Sequence, residues 1–247
     1  MSNTYETKET VVAFIDVLGA TAKMYEDEDK ALSIVHNVYN EALKLHKHLF
    51  DPEKNKNVKL KVNIFSDNIV ISAETFSENQ YLVFRAVVAF AAIIQYKFLA
   101  SGYLVRGGIS MGNFFVDDTM LWGTALVDSY KLESSIAIYP RIVIHPKVIA
   151  TLGIATNPSK QRFLMQDFDG LFFVDYLNKD LYGEEQLVLF VLSFIADLER
   201  LECEANGNLT VMQKINWHSS YLLHKLKTLP KKPKQGDLNE KVLRNRC

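Results

Sequence analysis

A chain of 247 residues with 48% hydrophobic content is long enough for one sizeable core and a small appended element. Its 28 Lys and Arg against 29 Asp and Glu leave a formal net charge of -1, which excludes a global positive field that recruits nucleic acid. Two cysteines, Cys203 and Cys247, exclude a disulfide framework; the polar start MSNTYETKE has no apolar signal segment, so a reducing, cytoplasmic setting is expected.

The first apolar run, 11–15 in VVAFIDVLG, reads as a strand that delivers Asp16 just before Leu18-Gly19. A carboxylate there either serves chemistry or caps the helix that begins near Gly19. Helices are expected over 20–25 and 29–50, the second with Leu32, Val35, Val38, Ala42, Leu45 and Leu49 as its buried stripe, stopped by Asp51-Pro52 and a polar turn at 53–57. His36, His46 and His48 on that helix lack the spacing of a zinc site. Residues 58–72 read as a β-hairpin with Ser66-Asp67-Asn68 at the tip, one face packed and the other polar.

A helix over 77–99 follows, with Ser77 as cap and Gln80 at the reciprocal position. The strand 103–112, YLVRGGISMG, carries Gly107 and Gly108 in its interior, which points to close backbone approach or a bulge; 113–119 reads as a turn or short arm. Arg106 inside that strand either faces solvent or offers its five donors to phosphate or a dimer contact. Helix 123–137 holds Lys131 on a face with Val127, where it can also pair with Glu133 or Asp128. A strand at 139–145, a short helix at 146–152 with Pro146 near its first position, a strand at 171–174 and helices at 184–205 and 209–227 complete the pattern. The long apolar tracts at 83–100 and 187–195 are interrupted by Arg85, Gln95, Lys97 and Ser193 and read as buried helices with no membrane partner. The order implies an α+β fold covered by helices on one side of the sheet, the other side being free for substrate. The basic tail reads as a solvated end; a nucleic-acid module built on it is the weakest alternative, because the first 220 residues carry no excess positive charge.

Four pieces in order, FIDVLG, FSDNIVIS, VRGGISMG and LWGTALVDSYKLES, resemble a class III nucleotidyl cyclase domain, and the wording is closest to the pyrimidine cyclases of the bacterial Pycsar anti-phage system. The resemblance implies a ferredoxin-like βαββαβ catalytic domain over 1–180, C-terminal helices over 181–230 packed on it, and a basic tail over 231–247. It also implies a head-to-tail homodimer with its active sites between subunits, no stable nucleic-acid partner, and two Mg²⁺ or Mn²⁺ ions held by Asp16 and Asp67 with Ile15. Lys131 stands where the family has the arginine that steadies the phosphoryl transition state, and Arg106 joins the catalytic set. Val127 stands where purine cyclases place an asparagine. Asn63 and Met120 match the base-selecting positions, with Phe14, Leu18, Gly19 and Ser129 around the nucleotide. An amide at Asn63 suits a pyrimidine edge, so the expected reaction is UTP to 3',5'-cyclic UMP and pyrophosphate, or CTP to cyclic CMP. The alternative is a catalytically inactive nucleotide sensor or interaction domain.

Overall fold

Burial along β1 (Lys8–Leu18) is continuous from Thr10 to Ile15, the mark of a strand covered on both faces rather than one. A computed structural model of the protein describes residues 5–49, 58–205 and 207–228. The expected stop at Asp51-Pro52, the turn at 53–57, Asn206, and the basic tail at 231–247 with Cys247 lie outside the described residues. The chain divides into two compact units between Tyr176 and Leu177.

In the first unit β1 leads through α1 (Ala20–Glu26) and α2 (Glu28–Leu49) to a hairpin of β2 (Lys61–Phe65) and β3 (Asn68–Glu74), then through α3 (Gln80–Ala100) to β4 (Leu104–Val116). These elements form a βαββαβ core with strand order β2-β3-β1-β4, every pair antiparallel. The sheet extends beyond β4 through β6 (Ile142–Ile144), which pairs parallel to β4, then β8 (Phe172–Val174) and β7 (Leu164–Gln166). A short β5 (Leu121–Trp122) folds back on the end of β4, and α4 (Thr124–Lys131) and α5 (Pro146–Thr151) follow β5 and β6. Arg141, 1% exposed, ties the start of β6 to Asp167 and Asp169 in the β7–β8 turn, so its buried charge is paired twice.

Helix α3 packs against β1, β3 and β4 and contributes the longest run of buried residues among the described elements. It is long and apolar enough to cross a membrane by length and composition, and 83% of its most apolar window is buried inside this fold. Each fully buried Val, Ile or Phe contributes roughly 1.5–3 kcal/mol. Asn79, not Ser77, precedes its first turn, because the Asn79 side-chain oxygen accepts the Phe76 N–H and fixes the entering turn. On α2 the buried stripe is Ala31, Val35, Val38, Ala42 and His46, whereas Leu32 is exposed. The phase is one residue off the apolar reading at each end, since His46 packs edge-on against Phe90 and reaches Ala86 O at 3.3 Å.

The second face of the sheet is not left free. Ala125 of α4 packs with Val12, Phe14, Val70 and Phe114, with Val116, Leu121 and Leu126 around them. Glycine makes this possible. A Cβ on Gly108 would lie 2.4 Å from both Leu132 Cβ and Ser129 O, so only glycine lets the helix rest on the strand. Strand β4 also runs on to Val116, beyond the expected end at Gly112, and β5 pairs back on that extension.

The second unit contains α6 (Lys179–Tyr182), α7 (Glu184–Glu204) and α8 (Leu209–Thr228). Asn178 caps α6 by accepting the Asp180 N–H. Trp217 and Tyr221 stack at 5.7 Å on α8, and the Tyr221 hydroxyl accepts the Leu177 N–H at 3.1 Å.

Candidate functional site

Directly opposed residues in an antiparallel ladder share a face, so the register alone assembles the site. Asp16 faces Asn68 on β3 and Arg106 on β4, and Asn68 faces Phe65 on β2. One row across the sheet is therefore Phe65, Asn68, Asp16, Arg106. The next row toward the sheet centre is Asn63, Val70, Phe14, Gly108. All eight belong to the face on which α4 lies.

Asp67 joins the first row through the hairpin turn. Ser66 has φ 56°, a positive value at the first central position of a two-residue loop, which is the backbone that suits a tight hairpin. That turn aims Asp67 O at β1, where it accepts the Val17 N–H at 3.0 Å. The Asp67 carboxylate accepts from Thr21 Oγ1 at 3.2 Å and from Asn68 Nδ2 at 3.1 Å, which ties the tip to the first turn of α1. Asp16 does not cap α1: Gly19 occupies that position, with φ 75° and no side-chain cap. A strand carboxylate and a turn carboxylate thus sit on neighbouring backbone positions at one end of the sheet.

The Asp16 carboxylate accepts the Arg106 Nε–H at 3.2 Å, and both side chains are mostly covered, at 19% and 26% exposure. Glu133 Oε1 lies 2.7 Å from the same Nε, with its side chain 4% exposed. The Nε–H points at Asp16, so Glu133 is held by charge and proximity rather than by a hydrogen bond there. Burial pushes the Glu133 carboxyl above its ordinary range; Arg106 opposes that shift, and Asp16 adds to it.

Glu133 is brought inward by the backbone. Helix α4 ends at Lys131, and 132–136 form one π-helical turn, with Leu132 and Glu133 buried. Lys131 is exposed and pairs with neither Glu133 nor Asp128 among the described residues, contrary to the simple pairing open in the sequence. It lines a surface groove with Trp122, Val127 and Asp128. Met120, 53% exposed, follows the far end of β4, beyond Val116. Lys131 and Met120 therefore do not join Asp16 and Asp67 by any described contact within one chain.

Asn63 is partly buried on the Asp16 face, one row away. Phe14, 7% exposed, packs against the rings of Phe65 and Tyr130, so it is a floor rather than a free contact. Ser129 departs from its expected role: it is fully buried, and its hydroxyl donates to Leu126 O at 2.9 Å, closing the helix turn. Ile15 is buried between β3 and β4, while Leu18 and Gly19 stand at the strand end. Asn68 and Glu133 lie inside FSDNIVIS and LWGTALVDSYKLES without a site role expected of them, and Thr21 lies outside the four pieces altogether.

Among the described residues no group of three or more His, Cys, Asp or Glu side chains is placed to hold a metal ion. A site of two carboxylates still fits Mg²⁺ or Mn²⁺, because hard ions of this kind take one or two carboxylate oxygens and complete their shells with water and phosphate oxygens. Asp16 and Asp67 each accept hydrogen bonds and keep further lone pairs, which satisfies that donor set.

No protein-family model matches the chain, and no curated protein matches it. Solved structures are. The guanylyl cyclase domain of the RhoGC fusion protein from the aquatic fungus Blastocladiella emersonii aligns at 17% identity with a TM-score of 0.49, covering 68% of this chain and 97% of that one. A bacterial light-regulated adenylyl cyclase aligns at 14% identity and a TM-score of 0.42, covering 60% of this chain and 46% of that one. A class III adenylyl cyclase-like ATP-binding protein from Pseudomonas aeruginosa aligns at 10% identity and a TM-score of 0.40, covering 58% of this chain and 34% of that one. The solved structures this chain resembles thus include a guanylyl cyclase domain, an adenylyl cyclase and a class III adenylyl cyclase-like ATP-binding protein.

Proposed function

We propose that this chain is a nucleotide-binding domain of the class III cyclase type that takes a nucleoside triphosphate with a divalent cation at Asp16 and Asp67. The observation that carries the reading is the cross-sheet row Phe65, Asn68, Asp16, Arg106 with the Asp67 turn beside it. A triphosphate brings about four negative charges, and two carboxylates tolerate it only through an intervening cation. Mg²⁺ or Mn²⁺ held there would neutralise phosphate charge and, in a catalytic setting, acidify the ribose 3'-hydroxyl. Arg106 supplies a permanent positive charge at the site, and Asn63 offers both a donor and an acceptor to a base edge.

Binding without turnover is favoured over catalysis by two positions. Val127 is half-exposed and apolar where cyclases of the purine type orient the ribose by hydrogen bond, and Lys131 offers a point charge in place of a planar fork. The second reading is a pyrimidine cyclase converting UTP to 3',5'-cyclic UMP and pyrophosphate, or CTP to cyclic CMP, as the signal-producing step of an anti-phage system; the Asn63 amide and the wording of the motifs support it. In either reading the protein acts as a pair of copies. The separation of Met120 and Lys131 from Asp16 within one chain, and the exposed Phe65, Trp122, Val127 and Tyr130, support a site completed by a second chain.

The deciding experiment titrates each of the four NTPs into the purified protein with Mn²⁺ and then assays cyclic product and pyrophosphate. Binding that is lost in Asp16→Asn and Asp67→Asn without product formation is the expected result. Product formed from UTP or CTP, and lost in those variants, establishes the second reading. Unchanged binding in both variants overturns the assignment of the site.

A further inference from the structure

Glu133 is a buried carboxylate that the nucleotide reading leaves unused, yet it touches the guanidinium that occupies Asp16. The Arg106 Nε–H is bonded to Asp16 Oδ2 at 3.2 Å, while Glu133 Oε1 waits 2.7 Å from the same nitrogen without hydrogen-bond alignment. Glu133 is fixed there: it belongs to the π-helical turn whose first residue, Leu132, lies over Gly108 at a distance that excludes any side chain on the strand.

We propose that Arg106 is a latch with two seats, and that Glu133 is the positioning residue that receives the guanidinium when a divalent cation takes Asp16. The proposal rests on the reading of Asp16 and Asp67 as the cation site. A guanidinium on Asp16 competes with a cation for the same oxygens. Releasing it to water would strand Glu133 as an unpaired carboxylate in a covered site, which is costly. Turning it toward Glu133 keeps both charges paired and needs only a reorientation, because the contact already exists. Arg106 has five donors in a rigid fork, so a guanidinium seated on Glu133 would keep N–H groups for phosphate oxygens.

The test measures Mn²⁺ alone binding to the full chain, from the electron paramagnetic resonance signal of the free ion. It uses the wild type, Asp16→Asn, Arg106→Gln, Glu133→Gln and the Arg106→Gln/Glu133→Gln double variant. Asp16→Asn loses binding, Arg106→Gln tightens it, and Glu133→Gln weakens it by roughly tenfold, within the coupling range of residues in contact. The charge of Glu133 acts on a cation at Asp16 through space whether or not Arg106 is present. The latch adds a part that needs Arg106, so Glu133→Gln weakens binding several-fold less in the Arg106→Gln background. Equal weakening in the two backgrounds, or none in either, overturns the latch while leaving the cation site standing. Equal binding by wild type and Asp16→Asn overturns the site and the latch with it. Circular dichroism checks folding, and Glu133→Asp, which keeps the charge but shortens the reach, takes the place of Glu133→Gln with the same expectation if the latter does not fold.

Discussion

On the side of the sheet under α3, β1 presents Val11, Ala13, Ile15 and Val17, all essentially buried; on the side under α4 it presents Thr10, Val12, Phe14 and Asp16, and the sequence of cover runs from tight packing to a charged cluster. The first side is uniform because a helix of 21 residues lies against three strands. The second is graded because α4 has only 8 residues before the π-helical turn, so its cover gives out near the strand ends where Asp16, Arg106 and Glu133 gather. The same strand thus serves as core and as site, and the length of the covering helix decides which.

The largest expected contrast is mutational. Ile15→Ala empties a fully buried position under α3 and should cost about 2–5 kcal/mol by urea denaturation, as the removal of a large aliphatic side chain from a core does. A loss below ~1 kcal/mol would mean that this side is loosely packed and the distinction between the faces is wrong.

Acid sharpens the comparison on the sealed side. Burial holds His46 down to about 4, against the hydrogen bond to Ala86 O that raises it, and burial holds His218 in the second unit down to about 3. An unfolded histidine takes its proton near 6.5, so below that pH the unfolded chain binds more protons than the folded one. Stability is complete above pH 6.5 and falls as the pH drops toward 4, by about 3 kcal/mol for His46 alone. Urea midpoints between pH 7.5 and 4.5 should show this fall, and His46→Leu should flatten the share that belongs to the first unit; an unchanged slope would place His46 outside the acid response.

The smallest effect belongs to the graded side. Phe65 is 47% exposed and touches Phe14 at 6.3 Å between ring centroids, so Phe65→Ala should change stability by less than ~1 kcal/mol. A cost comparable with that of Ile15→Ala would show that the Asp16 side is packed as firmly as the other.

Much of the core was legible because its signals are local. The apolar run ending in Asp16, the hairpin around Ser66-Asp67, Pro146 at a helix start and the two C-terminal helices all carry their own periodicity or turn chemistry. β7 was not, since Leu164–Gln166 is three residues long and exists only because β8 pairs with it. The inward turn of Glu133 was equally hidden: 123–137 reads as one helix, and nothing local announces that contact with Gly108 ends its α-helical part at Lys131. The extent of the cover over the second face was misjudged for the same reason. A strand that runs on to Val116 and a helix seated on a glycine depend on residues far apart in the chain. For the site, Asp16, Arg106 and Asn63 share one face by register and Asp67 stands beside them in the hairpin turn, while Ser129 is a packing group and Lys131 and Met120 stand apart.

The pairing of β1 with both its neighbours has a consequence for how this chain tolerates changes of length. Facing is a matter of odd and even count along a strand, so one residue inserted between Val12 and Asp16 would hand the carboxylate to α3 and turn an aliphatic neighbour toward Arg106. Insertions of two preserve parity but slide the acid past its partner. Length variation compatible with this architecture is therefore confined to the connections between strands.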